Sequence, residues 1–245
     1  MKAILHIPHS SLILPDEFYE YLLIDRKQLQ RYNLDHTDLY TKELFENDLF
    51  DTVIAPYSRL YCDVERFSED ENEPMSKYGQ GLLYTHMFDG TLFHRSSFQY
   101  KERVLDYYHN HHKVLNRLSS NVLKNNEKLL ILDCHSFKDS VASYFFDGEF
   151  PDIDLGIEPD FYNGSIIELL TKKFNANGYS VEINNPYKGS LVPNEIYKSK
   201  NPNVCAVMIE INKRIYLNED NTIDNIKFKK LRTVILDILN SIALM

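Results

Sequence analysis

Three short apolar runs, each stopping at titratable side chains, constrain this chain more than any other feature. The run at 128–132 ends in Asp133-Cys134-His135-Ser136; residues 3–5 lead into His6-Ile7-Pro8-His9-Ser10; residues 204–208 lead into Ile209-Glu210-Ile211-Asn212. Apolar runs of about four to eight residues read as buried strands. In open α/β sheets, ligands gather at the carboxyl ends of such strands. Three strands with ionisable ends predict one shared site.

Further strands are expected at 50–55, 57–64, 140–146, 153–157 and 179–183. Helices are expected at 17–23 and 26–32, with Asp16 and Asp25 as caps, and at 39–45, 95–125, 164–175 and 223–244. In the longest of these, Val104, Leu105, Tyr108, His111, His112, Leu115 and Leu118 share one broad face. The acidic segment 65–81 reads as a long loop or a lid. Strands alternating with helices give an α/β fold, a sandwich with a mostly parallel central sheet. The 245 residues are read as one domain, 1–245.

Composition narrows the function classes. A net charge of −9 argues against a nucleic-acid partner, because phosphate contacts need a basic surface. The cluster Lys227, Lys229 and Lys230 reads as a solvated helix face. No apolar run approaches the roughly 18 residues of a membrane span, and the residues before His6 read as too few for a signal peptide. Cys62, Cys134 and Cys205, odd in number and far apart, predict a reducing, cytoplasmic setting.

The polar residues then divide by chemistry. His9, Asp38 and His135 offer two imidazoles and a carboxylate, which with a water suit a catalytic Zn²⁺; the alternative for each histidine is a structural strand-end residue. Asp35, His36 and Asp133 rival Asp38 as the third ligand. Asp133, two residues before His135, falls on the same side of a regular strand and either orients the imidazole or faces solvent. Glu210 is either an ion-pair partner of Arg214 or a general base. Arg59 and Arg66 flank Asp63 and either grip a substrate carboxylate or pair with that aspartate. His112 is a candidate transition-state contact, while His109 points to solvent. No nucleotide or serine-hydrolase motif is present.

Taken in order, His6-Ile7-Pro8-His9-Ser10, His36-Thr37-Asp38, Arg59 through Asp63 to Arg66, Gly79-Gln80-Gly81, Tyr108 with His112, Asp133-Cys134-His135-Ser136 and Glu210-Ile211-Asn212 with Arg214 and Tyr216 resemble the N-formylglutamate amidohydrolase family. The resemblance implies a three-layer, zinc-exopeptidase-like fold and hydrolysis of an N-formyl amino acid to formate and the free amino acid, within amino-acid and histidine degradation. It implies one Zn²⁺ on His9 and His135, with Asp38 as the third ligand, since Leu12 stands where a glutamate would follow His9. Glu210 matches the water-activating carboxylate, with His112 and Arg59 beside the chemistry. Arg59, Arg66, Asn212, Arg214 and Ser10 are the substrate contacts so implied, and Asp133, His36 and Asp63 their support. Glu65, His111 and Ser11 depart from the family pattern near the substrate end. The implied partner is a small N-acyl amino acid, bound by a monomer or small homo-oligomer.

Overall fold

The two longest strands, β3 (Leu129–Phe137) and β6 (Val204–Asn212), are buried along their whole length and lie side by side, parallel. Both run past the apolar residues that foretell them, because their ionisable ends find partners inside the protein. They form the middle of a six-stranded sheet ordered β2 (Asp51–Ile54), β1 (Lys2–Ile7), β3, β6, β4 (Ile153–Ile157), β5 (Val181–Ile183). The β1–β3, β3–β6 and β4–β5 pairs are parallel and β4–β6 is antiparallel, so the sheet is mostly parallel, as expected. The computed structural model describes residues 1–125 and 127–245.

The chain divides into two units. The first comprises Met1–Ile7, Tyr40–Val53 and Leu115–Met245 and contains nearly all of the sheet. On one sheet face Ile4, Leu129, Ile131, Val204 and Ala206 pack with Leu115, Phe161, Val192 and Ile196. Leu115 belongs to helix α3 (Phe98–Lys124) and Ile196 to the short helix α6 (Asn194–Ser199). Residues of opposite parity, among them Leu5, Leu130 and Leu132, face the other side. There α2 (Thr41–Phe45) packs on β1 and β3, α7 (Asn225–Ala243) on β1, and α5 (Gly164–Ala176) on α7 and β5. Helices thus flank the sheet, in the α/β arrangement expected.

The second unit, Pro8–Leu39 and Ile54–Val114, has its own core, rich in aromatic rings: Phe18, Tyr32, Tyr61, Tyr84, Phe93, Tyr100 and Tyr108. Its helix α1 (Arg26–His36) starts at a complete capping box, in which Asp25 accepts from the Gln28 amide and the Gln28 side chain accepts from the Asp25 amide.

Two expected strands are absent. Residues 57–64 form turns, because the Ser58 carbonyl accepts from the Tyr61 and Cys62 amides and its hydroxyl accepts from the Leu60 amide. Residues 140–146 begin in helix α4 (Asp139–Ala142) and continue in turns whose amides return to Val141 and Ala142. Their β-prone Tyr144, Phe145 and Phe146 lie exposed rather than in a sheet.

Candidate active site

Along the α3-side face of β3 the side chains read Leu129, Ile131, Asp133, His135: two apolar positions, then two ionisable ones. Register extends the change across the sheet. Asp133 stands level with His6 on β1 and Met208 on β6, and His135 is level with Glu210 on β6, itself level with Asp154 on β4. All five ionisable side chains are buried. The period-two side-chain alternation of each strand delivers them to one face.

Asp133 is the junction of this row. Its Oδ1 lies 2.8 Å from His6 Nδ1 and 3.2 Å from His135 Nε2, and its Oδ2 accepts from the Leu191 amide at 2.9 Å. Burial alone would raise this carboxyl, but the charge and hydrogen bonds of His135, with His6, hold it well below the usual carboxylate range. Asp154 goes the other way. Burial pushes it up to about 6, only partly offset by the Asn185 and Tyr187 amides that it accepts from at 2.9 and 2.8 Å. A carboxylate that orients a ligating imidazole is a standard support of metal sites, and Asp133 holds two imidazoles.

The second unit carries a polar cluster around His9, two residues beyond the end of β1. Its Nε2 donates to Asp63 Oδ1 at 2.9 Å, and its Nδ1 stands 3.8 Å from Asp38 Oδ2 and 3.6 Å from Glu65 Oε2. The main chain fixes the pairing, since the Asp38 amide donates to the His9 carbonyl. Asp63 is fully buried, and its Oδ2 accepts from Arg59 Nε and Nη2 at 3.1 and 2.7 Å and from the Tyr84 hydroxyl at 3.1 Å, with Arg66 Nε at 3.5 Å. Burial would raise the Asp63 carboxyl; Arg59, then His9 and Arg66, outweigh it and keep it well below the usual range.

The other expected site residues fall as follows. His112 is half-buried and its Nε2 donates to the Val64 carbonyl at 2.7 Å, beside Asp63 in sequence. His36 donates from Nδ1 to the Tyr32 carbonyl and stacks on Phe88 at 4.0 Å, within the aromatic packing. Ser10 and Asp35 are half-buried. Asn212 is buried and its amide donates to Asp139 and to the Pro151 carbonyl. Arg214 is held by Asp139, Asp152 and the Phe150 carbonyl rather than by Glu210. Arg59 and Arg66 gather on Asp63, with Glu73 also 3.8 Å from Arg66. Sequence reasoning overlooked Glu65 and Asp154 as site residues. Glu65 sits two residues after Asp63, a visible signal; Asp154 inside an apolar strand was another.

The donor chemistry fits a divalent cation. An imidazole nitrogen facing two carboxylates is a zinc-type donor set, and His9 with Asp38 and Glu65 supplies it in the second unit.

Comparison with known proteins adds the following. The profile of one family, described as N-formylglutamate amidohydrolase, matches residues 1–217. No curated protein matches the chain. The crystal structure of N-formylglutamate amidohydrolase from Ralstonia eutropha superposes with a TM-score of 0.82 at 18% identity, over 98% of this chain and 92% of that one. A gene product of Agrobacterium tumefaciens superposes with a TM-score of 0.68 at 16% identity, over 98% of this chain and 91% of that one. At such identities the likeness speaks for the fold.

Proposed function

Since the chain belongs to the N-formylglutamate amidohydrolase family, we propose that it is a zinc-dependent hydrolase of the N-acyl amide of a small acidic amino acid. N-formyl-L-glutamate is the substrate the family description suggests, giving formate and free glutamate, as in the cytoplasmic degradation of histidine. The observation that carries the reading is the buried row in which His135 and Glu210 stand level on adjacent parallel strands, with Asp133 and His6 behind.

A bound Zn²⁺ would lower the pKa of its water to about 7 and polarise the acyl carbonyl. The ligands that the family resemblance implies are His9, Asp38 and His135, with Glu65 a rival to Asp38 on its 3.6 Å approach to His9. Glu210 takes a proton from the attacking water and returns it to the leaving nitrogen, so that the amide C–N bond breaks as the amine is protonated. Asp133 holds the His135 ring in place for this, through the 3.2 Å contact to Nε2. Arg59 spends Nε and Nη2 on Asp63, and its Nη1 makes no bond among the described residues. That nitrogen is the proposed donor to a substrate oxygen. His112, Asn212 and Arg214 serve as positioning residues, because their polar atoms go to the protein itself.

The test is zinc content of the purified protein together with formate release from N-formyl-L-glutamate. About one zinc per chain and chelator-sensitive turnover are expected. Glu210→Gln should keep the zinc and lose kcat by about 10²–10⁴-fold. Near-normal turnover in that variant would remove Glu210 from the chemistry.

A further inference from the structure

The segment after β5 crosses the ionisable end of the sheet face in the first unit, and two site carboxylates tie it there. Asp154 accepts from the Asn185 and Tyr187 amides, and Asp133 accepts from the Leu191 amide. Between these anchors the backbone lies so close to β4 that a Cβ on Gly156 would stand 2.2 Å from the Gly189 carbonyl oxygen. Only a glycine at 156 lets the segment settle at this depth.

The three residues between the anchors have donors and no acceptors for them. The backbone amides of Lys188, Gly189 and Ser190 form no hydrogen bond among the described residues. The Ser190 hydroxyl is buried without a partner. The Lys188 ammonium forms no ion pair among the described residues, although Glu158 Oε2 stands 3.7 Å from where a Gly189 Cβ would be. Gly189 has a φ of +83°, the left-handed conformation around which successive amides converge on an anion. Lys188 is exposed and Gly189 and Ser190 are half-buried, so the Ser190 hydroxyl is the donor here that is buried without an acceptor, a state that the native protein normally avoids. Here a ligand can supply the acceptor.

From this geometry we infer that residues 188–190 form the subsite for a carboxylate of the substrate, with Lys188 as counter-ion and the Ser190 hydroxyl and backbone amides as donors. The assignment deepens the proposed function and rests on it for the identity of the ligand. It makes the segment a specificity element: Asp133 and Asp154 fix its ends to the same face that carries His135 and Glu210, so an anion seated on it is held in register with them.

Two measurements on the full chain test the subsite: the KM for N-formyl-L-glutamate, and the Kd for glutarate by calorimetry, a dicarboxylate with no amide to hydrolyse. In the double variant Lys188→Met/Ser190→Ala, KM and the glutarate Kd should each rise by about tenfold or more while kcat changes little, the pattern of lost ground-state binding. Lys188→Arg should restore KM to within about twofold of wild type, since it keeps the charge; a merely structural role would not follow the charge. An unchanged KM in the double variant, or a wild type that does not bind glutarate, would overturn the inference. If no N-acyl amino acid is hydrolysed, the glutarate Kd decides alone. Weakening confined to the double variant then upholds an anion subsite while the activity falls, and an equal Kd overturns it.

Discussion

At Asp63 a single buried carboxylate fixes the His9 imidazole and is the shared counter-ion of Arg59 and Arg66. Asp63→Asn keeps the shape and removes the charge, leaving Arg59 without this counter-ion and Arg66 with Glu73 alone, 3.8 Å away. Breaking a buried ion pair from one side is costly, so denaturant unfolding should show a loss of about 3 kcal/mol. The pH dependence has a definite sign. The folded carboxyl titrates below its unfolded value of about 3.9, so the unfolded chain takes up the proton first. The stability it contributes is complete above about pH 4 and drains away as pH falls towards the folded pKa. The variant should therefore have a flatter acid limb below about pH 4; an unaltered limb would mean that Asp63 is not the dominant charge here. Much of this residue-level organisation was hidden in the sequence. Asp133, His135 and Glu210 were legible because an apolar run that stops at an acid or a histidine is visible along one strand. The surroundings of His9 were not. Asp38 and the Asp63–Glu65 stretch reach it from separate places along the chain, so Asp38 and Asp63 could be joined to His9 only by donor chemistry and family resemblance, not by a spacing rule.

Among the elements, those with a repeating apolar period were read correctly and those held by local side-chain bonds were not. Helices α3, α5 and α7 carry a continuous buried stripe, which survives whatever packs on it. The turns at 57–64 have the composition of a strand, yet Ser58 captures the amides that a ladder would need. Strand β4 adds a constraint that no periodicity announces, the close passage of Gly189 over Gly156. Gly156→Ala should force that backbone outward, since its methyl would also stand 2.5 Å from Met208 Cε. Overpacking of this kind costs about 1–3 kcal/mol. Because the displaced backbone belongs to the segment held by Asp133 and Asp154, KM should rise along with the loss in melting temperature. A variant as stable and as active as wild type would show that the contact relaxes freely and that the segment is not positioned by it.

On the scale of the whole molecule, the chain carries 36 acidic against 27 basic residues and still buries Asp38, Asp63, Asp133, Asp154, Glu73 and Glu210. Burying so much like charge in a chain of net −9 is unfavourable unless cations compensate. Arg59 and Arg66 do so for Asp63. A divalent metal is the proposed compensation for the carboxylates beside His9. Such a metal binds the native state and not the unfolded chain, where its ligands are scattered, so it stabilises by mass action. At a free zinc concentration about a thousand times Kd the gain is roughly 4 kcal/mol. For a chain of this size that corresponds to a rise on the order of 10 °C in melting temperature. Chelation should lower the transition by that amount, and zinc added back should restore it. His135→Ala should melt near the chelated wild type and respond weakly to zinc. A transition indifferent to both chelator and zinc would mean that no metal is bound to the native state, and the buried carboxylates would then have to be held by the arginines and histidines alone.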